Sequence, residues 1–282
     1  MLHHYNLYSL YKIIILYEKF KSSIKLSDIK YNFNYVNNKK CILLCGQIRN
    51  NFYQTLLSHK MYILDPLHTD VFCVFSNADD KMKNIIINLL KPTKILWIND
   101  NDITKSYFNV NIMGQFYKWY KCNQLKIEYE KQNNFTYDVC IKSRPDVYIK
   151  SYLPEKIINN INPNTFYYAT PIKYFNISDQ VFLSNSITMN IVTNMYIYYL
   201  NNPQKICDIP EAMLYEYLNK NNIKVLYIDN FIHVIHDLIS EKMWIHQWIY
   251  KIIVRSKLSQ WNSYCNSYYL KAYYNILNDL YK

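Results

Sequence analysis

Short apolar runs separated by stretches of helical spacing constrain this chain more than any other feature. CILLC (41–45) is continuous in apolar residues and suits a parallel strand buried on both faces. It stops at Gly46, one of only two glycines in the chain. The following FYQTLLSHKMYIL places Phe52, Leu56 and Tyr62 at helical spacing. DVFCVFS (70–76) then reads as a strand, KMKNIIINLL (81–90) as a helix and TKILWI (93–98) as a strand. The order β-α-β-α-β is that of a doubly wound α/β domain with a mostly parallel sheet.

The second half is less regular. A linker rich in Asn and Asp (99–111) leads to Gly114, and 115–131 has helical spacing, with Phe116, Trp119, Tyr120 and Ile127 near one face. DVCIKSRPDVYI (138–149) reads as a strand interrupted by charge. FYYAT (166–170) and QVFLSN (180–185) read as strands of less certain direction. Helices are expected over 186–200 and 210–222, with Pro210 suited to a first turn and Glu211 beside it. IKVLYI (223–228) reads as the last strand, and 241–282 as helical and aromatic. The organisation expected is a helical extension over 1–38, a catalytic α/β domain over 39–238 and a second helical extension over 239–282.

Composition narrows the class. Half of the 282 residues are hydrophobic and 17% are aromatic, which excludes a disordered chain. The net charge of +11 would suit a polyanion partner, but the lysines are scattered and form no stripe. Abundant Lys, Asn, Ile and Tyr beside scarce Gly and Arg reflect an AT-rich coding sequence, so no nucleic-acid partner is expected. Seven cysteines without a C-x-x-C pair, several of them inside apolar strands, indicate a reducing compartment. YSLYKIIILYEKF near the start is too short to span a bilayer, is broken by Lys12 and lacks a cleavage site. It is read as an amphipathic helix, with weak membrane-surface contact as the alternative. The setting expected is cytoplasmic, with neither signal peptide nor transmembrane span.

In an open α/β sheet, ligands bind beyond the carboxyl ends of the strands. Two polar segments fall there: GQIR after the first strand and SRPD after the fourth. Gly46 suits a tight turn where backbone approaches a ligand, and Arg49 a bidentate phosphate contact, although a purely structural turn explains both. The P-loop and dinucleotide fingerprints are absent. So is the D/E-x-K strand that a PD-(D/E)xK nuclease requires. Asp146 either binds a divalent metal bridging a diphosphate or forms a surface pair with Arg144.

In their order, GQIR, MGQFYKWYKCNQLKIEYE, YDVCIKSRPDVYI, SDQVFLSN and IPEAMLYEYL resemble a family. It is the GT-A-fold glycosyltransferase-like group of large DNA viruses and of bacterial lipopolysaccharide and capsule synthesis. The resemblance spans roughly residues 40–236. It implies a GT-A-like mixed sheet flanked by helices and sugar transfer from a nucleotide-sugar donor to a glycan or glycoprotein acceptor. For a viral protein, the compartment implied is the host cytoplasm or the virion.

The resemblance places Gly46, Gln47 and Arg49 by the donor nucleotide and Gln115 near the nucleotide or donor sugar. Asp146 takes the place of the metal-binding carboxylate, with Arg144 supporting it, and His236, in preference to His233, completes a shell for Mn²⁺ or Mg²⁺. Asp179 and Gln180 enter the cleft and Glu211 the acceptor side, so that Asp179 or Glu211 takes the acceptor proton. The structural alternatives are a turn cap for Asp179, a favourable helix start for Glu211 and a packed histidine. Where Asp-x-Asp offers two carboxylates, Arg144-Pro145-Asp146 offers one, and Arg144 is able to stand in part for a cation. Two other functions fit the same residues: a non-catalytic relative binding glycan or nucleotide, and a basic nucleic-acid-binding protein.

Overall fold

Seven strands form one sheet whose order runs away from its first strand in both directions. The strands are β1 (Lys40–Gly46), β2 (Asp70–Ser76), β3 (Lys94–Ile98), β4 (Val139–Ser143), β6 (Thr165–Tyr168), β7 (Val181–Ser184) and β8 (Lys224–Tyr227). Their order is β3-β2-β1-β4-β7-β6-β8. Only β7 runs against its neighbours; β1, β2, β3 and β4 are mutually parallel, and β6 pairs parallel with β8. The chain therefore builds outward through β2 and β3, then returns to add β4 on the other side of β1. That reversal opens a crevice between β1 and β4 at their carboxyl ends. The mixed, mostly parallel sheet flanked by helices is the fold class expected from the sequence.

This is a computed structural model, and it describes residues 37–49, 52–103, 110–169, 177–207, 209–228 and 232–234. These fall within the compact unit Phe33–His236. The expected terminal extensions lie outside the described residues, apart from 37 and 38. Among the described residues, no helix is long and apolar enough to cross a membrane.

The longer helices among the described residues are α1 (Phe52–His59), α2 (Asp80–Leu90), α3 (Val110–Asn133), α4 (Ser186–Thr193), α5 (Met195–Leu200) and α6 (Pro210–Lys220). Asp79 caps α2 by accepting from the Met82 amide at 2.8 Å, and Asn185 caps α4 by accepting from Thr188 at 2.8 Å. The long helix α3 lies against β1 and β2. It begins before Gly114, so the expected linker is shorter than its composition implied. Its buried face is Ile112, Met113, Phe116, Trp119, Cys122, Asn123, Lys126 and Glu130, while Tyr120 and Ile127 are only partly covered. The stripe has rotated because Lys126 finds partners inside: Ser186, the Asn190 amide oxygen at 2.9 Å and Glu130 at 3.3 Å. Lys126 and Glu130 of α3 thereby hold Ser186 and Asn190 of α4 without leaving a buried charge unpaired.

The structure departs from the sequence reading at three further places. The run 186–200 is two helices, α4 and α5, divided at Asn194. The stretch 138–149 is two strands, not one: β4 ends at Ser143, and β5 (Val147–Ile149) leaves the main sheet. β5 pairs antiparallel with β9 (Ile232–Val234), a strand absent from the sequence reading because three residues carry no visible periodicity.

The core is aromatic on the α3 side of the sheet. Phe182 of β7 lies 4.6 Å from the Phe166 ring and 5.4 Å from the Trp119 ring, and all three are fully buried. Replacing Phe182 with alanine leaves both partners facing a cavity. We expect Phe182→Ala to cost about 3–5 kcal/mol in equilibrium denaturation.

Candidate active site

The turn between β4 and β5 shapes the site. Pro145 brings no amide hydrogen to extend the β4 ladder, and Val147 N–H closes the turn onto the Arg144 carbonyl at 3.3 Å. The α1 helix clamps that turn from below. The Thr55 hydroxyl lies 2.5 Å from the Pro145 carbonyl, and Ser58 Oγ accepts from the Ile149 amide at 2.9 Å. His59 sits 2.7 Å from Ser143 Oγ through Nε2 and 2.8 Å from the Thr55 carbonyl through Nδ1. A carbonyl can only accept, so Nδ1 carries the hydrogen and Nε2 accepts from the Ser143 hydroxyl. Burial lowers the His59 pKa to about 4, against the raising effects of the Thr55 hydrogen bond and the Asp146 charge, so the ring is a neutral strut at physiological pH.

Held in this way, the turn points Arg144 and Asp146 into the crevice. Arg144 grips Asp146 with two hydrogen bonds, Nε to Oδ1 at 2.9 Å and Nη2 to Oδ2 at 2.7 Å. Arg49, from the loop after β1, adds an ion pair, its Nε lying 3.0 Å from Oδ2. The Asp146 side chain is 3% exposed, against 21% for Arg144 and 48% for Arg49. Burial pushes the Asp146 pKa up, but the Arg144 hydrogen bonds, the Arg144 charge and the Arg49 charge together hold it below the usual carboxylate range. The sequence alternative of a surface pair is thus half right: the pair exists, and its carboxylate is buried.

Gly46 brings the two loops together. Its φ of +148° is one that side-chain-bearing residues rarely adopt, and a Cβ there would meet Pro145 Cδ at 3.0 Å. Gln47 points elsewhere, 3.5 Å from Asp100 Oδ2, where Lys118 holds the other oxygen at 2.6 Å. That second polar group lies beyond the carboxyl ends of β1 and β3.

The reversed direction of β7 supplies the opposite wall. Ser143 pairs with Val181, so the start of β7 lies beside the end of β4 and carries Asp179 and Gln180 to the same edge. Gln115 of α3 donates to Asp179 Oδ2 at 2.5 Å, and Arg144 Nη1 stands 3.9 Å from the same oxygen. The carboxyl of Glu211, in the first turn of α6, hydrogen-bonds Asp179. Burial, then the Asp179 charge and this hydrogen bond, raise the Glu211 pKa, with Arg144 acting the other way. The side-chain oxygen of Gln180 is buried and has no hydrogen-bond partner.

Of the residues predicted from sequence, Arg49, Gln115, Arg144, Asp146, Asp179 and Glu211 thus form one connected group. Gly46 shapes it, Gln47 joins the neighbouring group, and Gln180 lines its edge. His236 lies outside the described residues, and His233 is described only as part of β9.

Sequence reasoning missed Lys142. It stands in the middle of β4, fully buried, with its ammonium on the Asp179 carbonyl, 3.4 Å from the Gln180 carbonyl and 4.0 Å above the Trp119 ring. Burial lowers its pKa to about 8, against the Asp179 and Cys45 charges that favour the cation. Its signal was visible as the one charge inside the run VCIKS (139–143). His59 and Thr55 left no comparable signal, because their partners lie some 90 residues away.

The Asp146 carboxylate, held as it is by arginine, does not fit a divalent ion. Both Asp146 oxygens accept from guanidinium groups, and Asp179 Oδ2 accepts from Gln115. Among the described residues, no three His, Cys, Asp or Glu side chains gather as metal ligands. A cavity of about 430 Å³, lined by Asn38, Asp138, Asn160, Asn185, Ser186 and Ile187, lies at the amino ends of β1 and β4 and contains none of the site residues. Strand-end chemistry favours the carboxyl edge over this groove.

No protein-family model and no curated protein matches the chain. Solved structures with partial overlap include the apo-form glycosyltransferase GlyE of Streptococcus pneumoniae TIGR4. It has 12% identity and a TM-score of 0.44, over 67% of this chain and 45% of that one. A second GlyE structure has 11% identity and a TM-score of 0.41, over 68% and 45%. The apo bifunctional glycosyltransferase WbbM has 9% identity and a TM-score of 0.42, over 68% and 39%. The chain spans less than half the length of each.

Removing the Asp146 charge leaves two guanidinium groups facing one another. Asp146→Asn is expected to destabilise the protein by about 3–4 kcal/mol at pH 7, the lower part of the range for breaking a buried ion pair because Arg49 keeps solvent. A folded-state pKa below the unfolded value of about 3.9 gives stability that is present above that pH. It is lost as pH falls through the folded pKa. The gap between wild type and variant in denaturation should therefore close in acid.

Proposed function

We propose that the chain is a glycosyltransferase that moves a sugar from a nucleotide-sugar donor to a hydroxyl of a glycan or glycoprotein acceptor. One observation carries the reading. Two guanidinium groups and a two-carboxyl pair face the same crevice, at the strand-order reversal between β1 and β4. The ordered motifs that resemble the GT-A group supply these same residues.

In this reading the donor diphosphate lies on the Arg49 and Arg144 side. The acceptor hydroxyl lies towards Asp179 and Glu211. The acceptor oxygen bonds to the anomeric carbon as the bond from that carbon to the diphosphate oxygen breaks. The hydroxyl proton passes to a carboxylate of the Asp179–Glu211 pair, and the nucleoside diphosphate leaves with the electron pair. Its growing charge is met by fixed guanidinium groups in a partly dry site, where such charge is stabilised more than in water. Gln115 and Lys142 hold the carboxylate side still, one through the Asp179 side chain and the other through its carbonyl.

Thermal-shift measurements against UDP-, GDP- and CDP-sugars test the binding step. One donor class should stabilise the protein, by about 2.7 kcal/mol at a hundredfold excess over Kd. Asp179→Asn and Glu211→Gln should each lower transfer by about 10²–10⁴-fold while donor binding persists. Donor binding with no transfer to any acceptor would favour the non-catalytic reading. Binding to DNA alone, with a steep salt dependence, would exclude both.

A further inference from the structure

We propose that this site handles the donor diphosphate without a divalent cation, Arg49 and Arg144 standing in the cation's place and Asp146 serving as their anchor. The inference rests on the reading of the chain as a nucleotide-sugar enzyme. Three observations carry it.

The first is the saturation of Asp146. Its two oxygens accept two N–H groups of Arg144 at 2.7 and 2.9 Å, Arg49 Nε pairs with one of those oxygens at 3.0 Å, and the side chain is 3% exposed. A metal would have to enter a buried carboxylate and expel both guanidinium groups. The second is the lack of a second carboxylate on the β4–β5 turn itself. Position 144, where a paired acid would stand, is an arginine reaching Asp146 itself and approaching Asp179 at 3.9 Å. Any cation at this point would sit against a fixed positive charge. The third is the exposure gradient along the pair. Arg144 uses Nε and Nη2 on Asp146, and Arg49 engages through Nε alone with 48% of its side chain open. The remaining guanidinium N–H groups are the donors from which planar, bidentate phosphate contacts are made.

Arg49 and Arg144 thus present two guanidinium cations at the crevice wall beside the one carboxylate, Asp146, that they share. Asp146 on this view is a positioning residue. It fixes both guanidinium planes and touches neither donor nor acceptor.

The test is calorimetric titration of the full chain with UDP, GDP and CDP, and with the matching monophosphates, in EDTA and again in Mn²⁺. The expected result is that the preferred diphosphate binds in EDTA with an affinity within about twofold of that in Mn²⁺. Arg49→Ala, at a half-exposed position, should weaken diphosphate binding in EDTA by about tenfold, the scale of one charge-assisted hydrogen bond. The monophosphate should lose less, and Arg49→Lys should fall between. A diphosphate affinity at least about tenfold weaker in EDTA would overturn the inference and leave the transferase reading standing. So would an Arg49→Ala affinity equal to wild type. Failure of every nucleotide to bind in both buffers would overturn the two together.

Discussion

A single buried carboxylate, Asp146, holds the two loops of the crevice in register. One guanidinium reaches it from its own turn and the other from the loop after β1, so the ion pair spans two strands that are neighbours in the sheet but about 100 residues apart in the chain. The Gly46–Pro145 contact presses the two loops together, and the α1 struts at Thr55, Ser58 and His59 fix the turn from beneath. Without the Asp146 charge, two cations would stand side by side in a half-dry crevice.

The second structural requirement is the reversal of β7. Parallel strands deliver only their carboxyl ends to a ligand edge. A strand running the other way delivers its beginning, and with it Asp179, Gln180 and the carbonyls that hold Lys142. The antiparallel step therefore explains why carboxylates from β7 and α6 face arginines from β1 and β4. Lys142 couples the two halves, since it is part of β4 and bonds to the β7 approach. A lysine whose pKa falls to about 8 by burial remains mostly charged at neutral pH, which suits a cation placed under a carboxylate loop.

The parallel half of the fold was legible because strands buried on both faces must be continuous in apolar residues, and CILLC and DVFCVFS are. The charged break at SRPD was legible for the opposite reason: a polar group inside an apolar stretch has to face something. What stayed hidden has long-range causes. The face of α3 turned because Lys126 found Ser186, Asn190 and Glu130, a satisfaction that local periodicity does not encode. The strand β9 exists because β5 offers it an edge. The true state of Asp146 was hidden too. Sequence supplied the carboxylate and its neighbour at 144, but the arrival of Arg49 on the same oxygen depends on how the β1 loop folds back.

A structure of the protein with its preferred nucleotide sugar bound tests the account most directly. The account predicts the diphosphate within hydrogen-bond distance of Arg49 and Arg144, beyond the carboxyl ends of β1 and β4, with the anomeric carbon facing Asp179 and Glu211. A donor bound instead in the groove of Asn38, Asp138 and Asn185 at the opposite strand ends would contradict it.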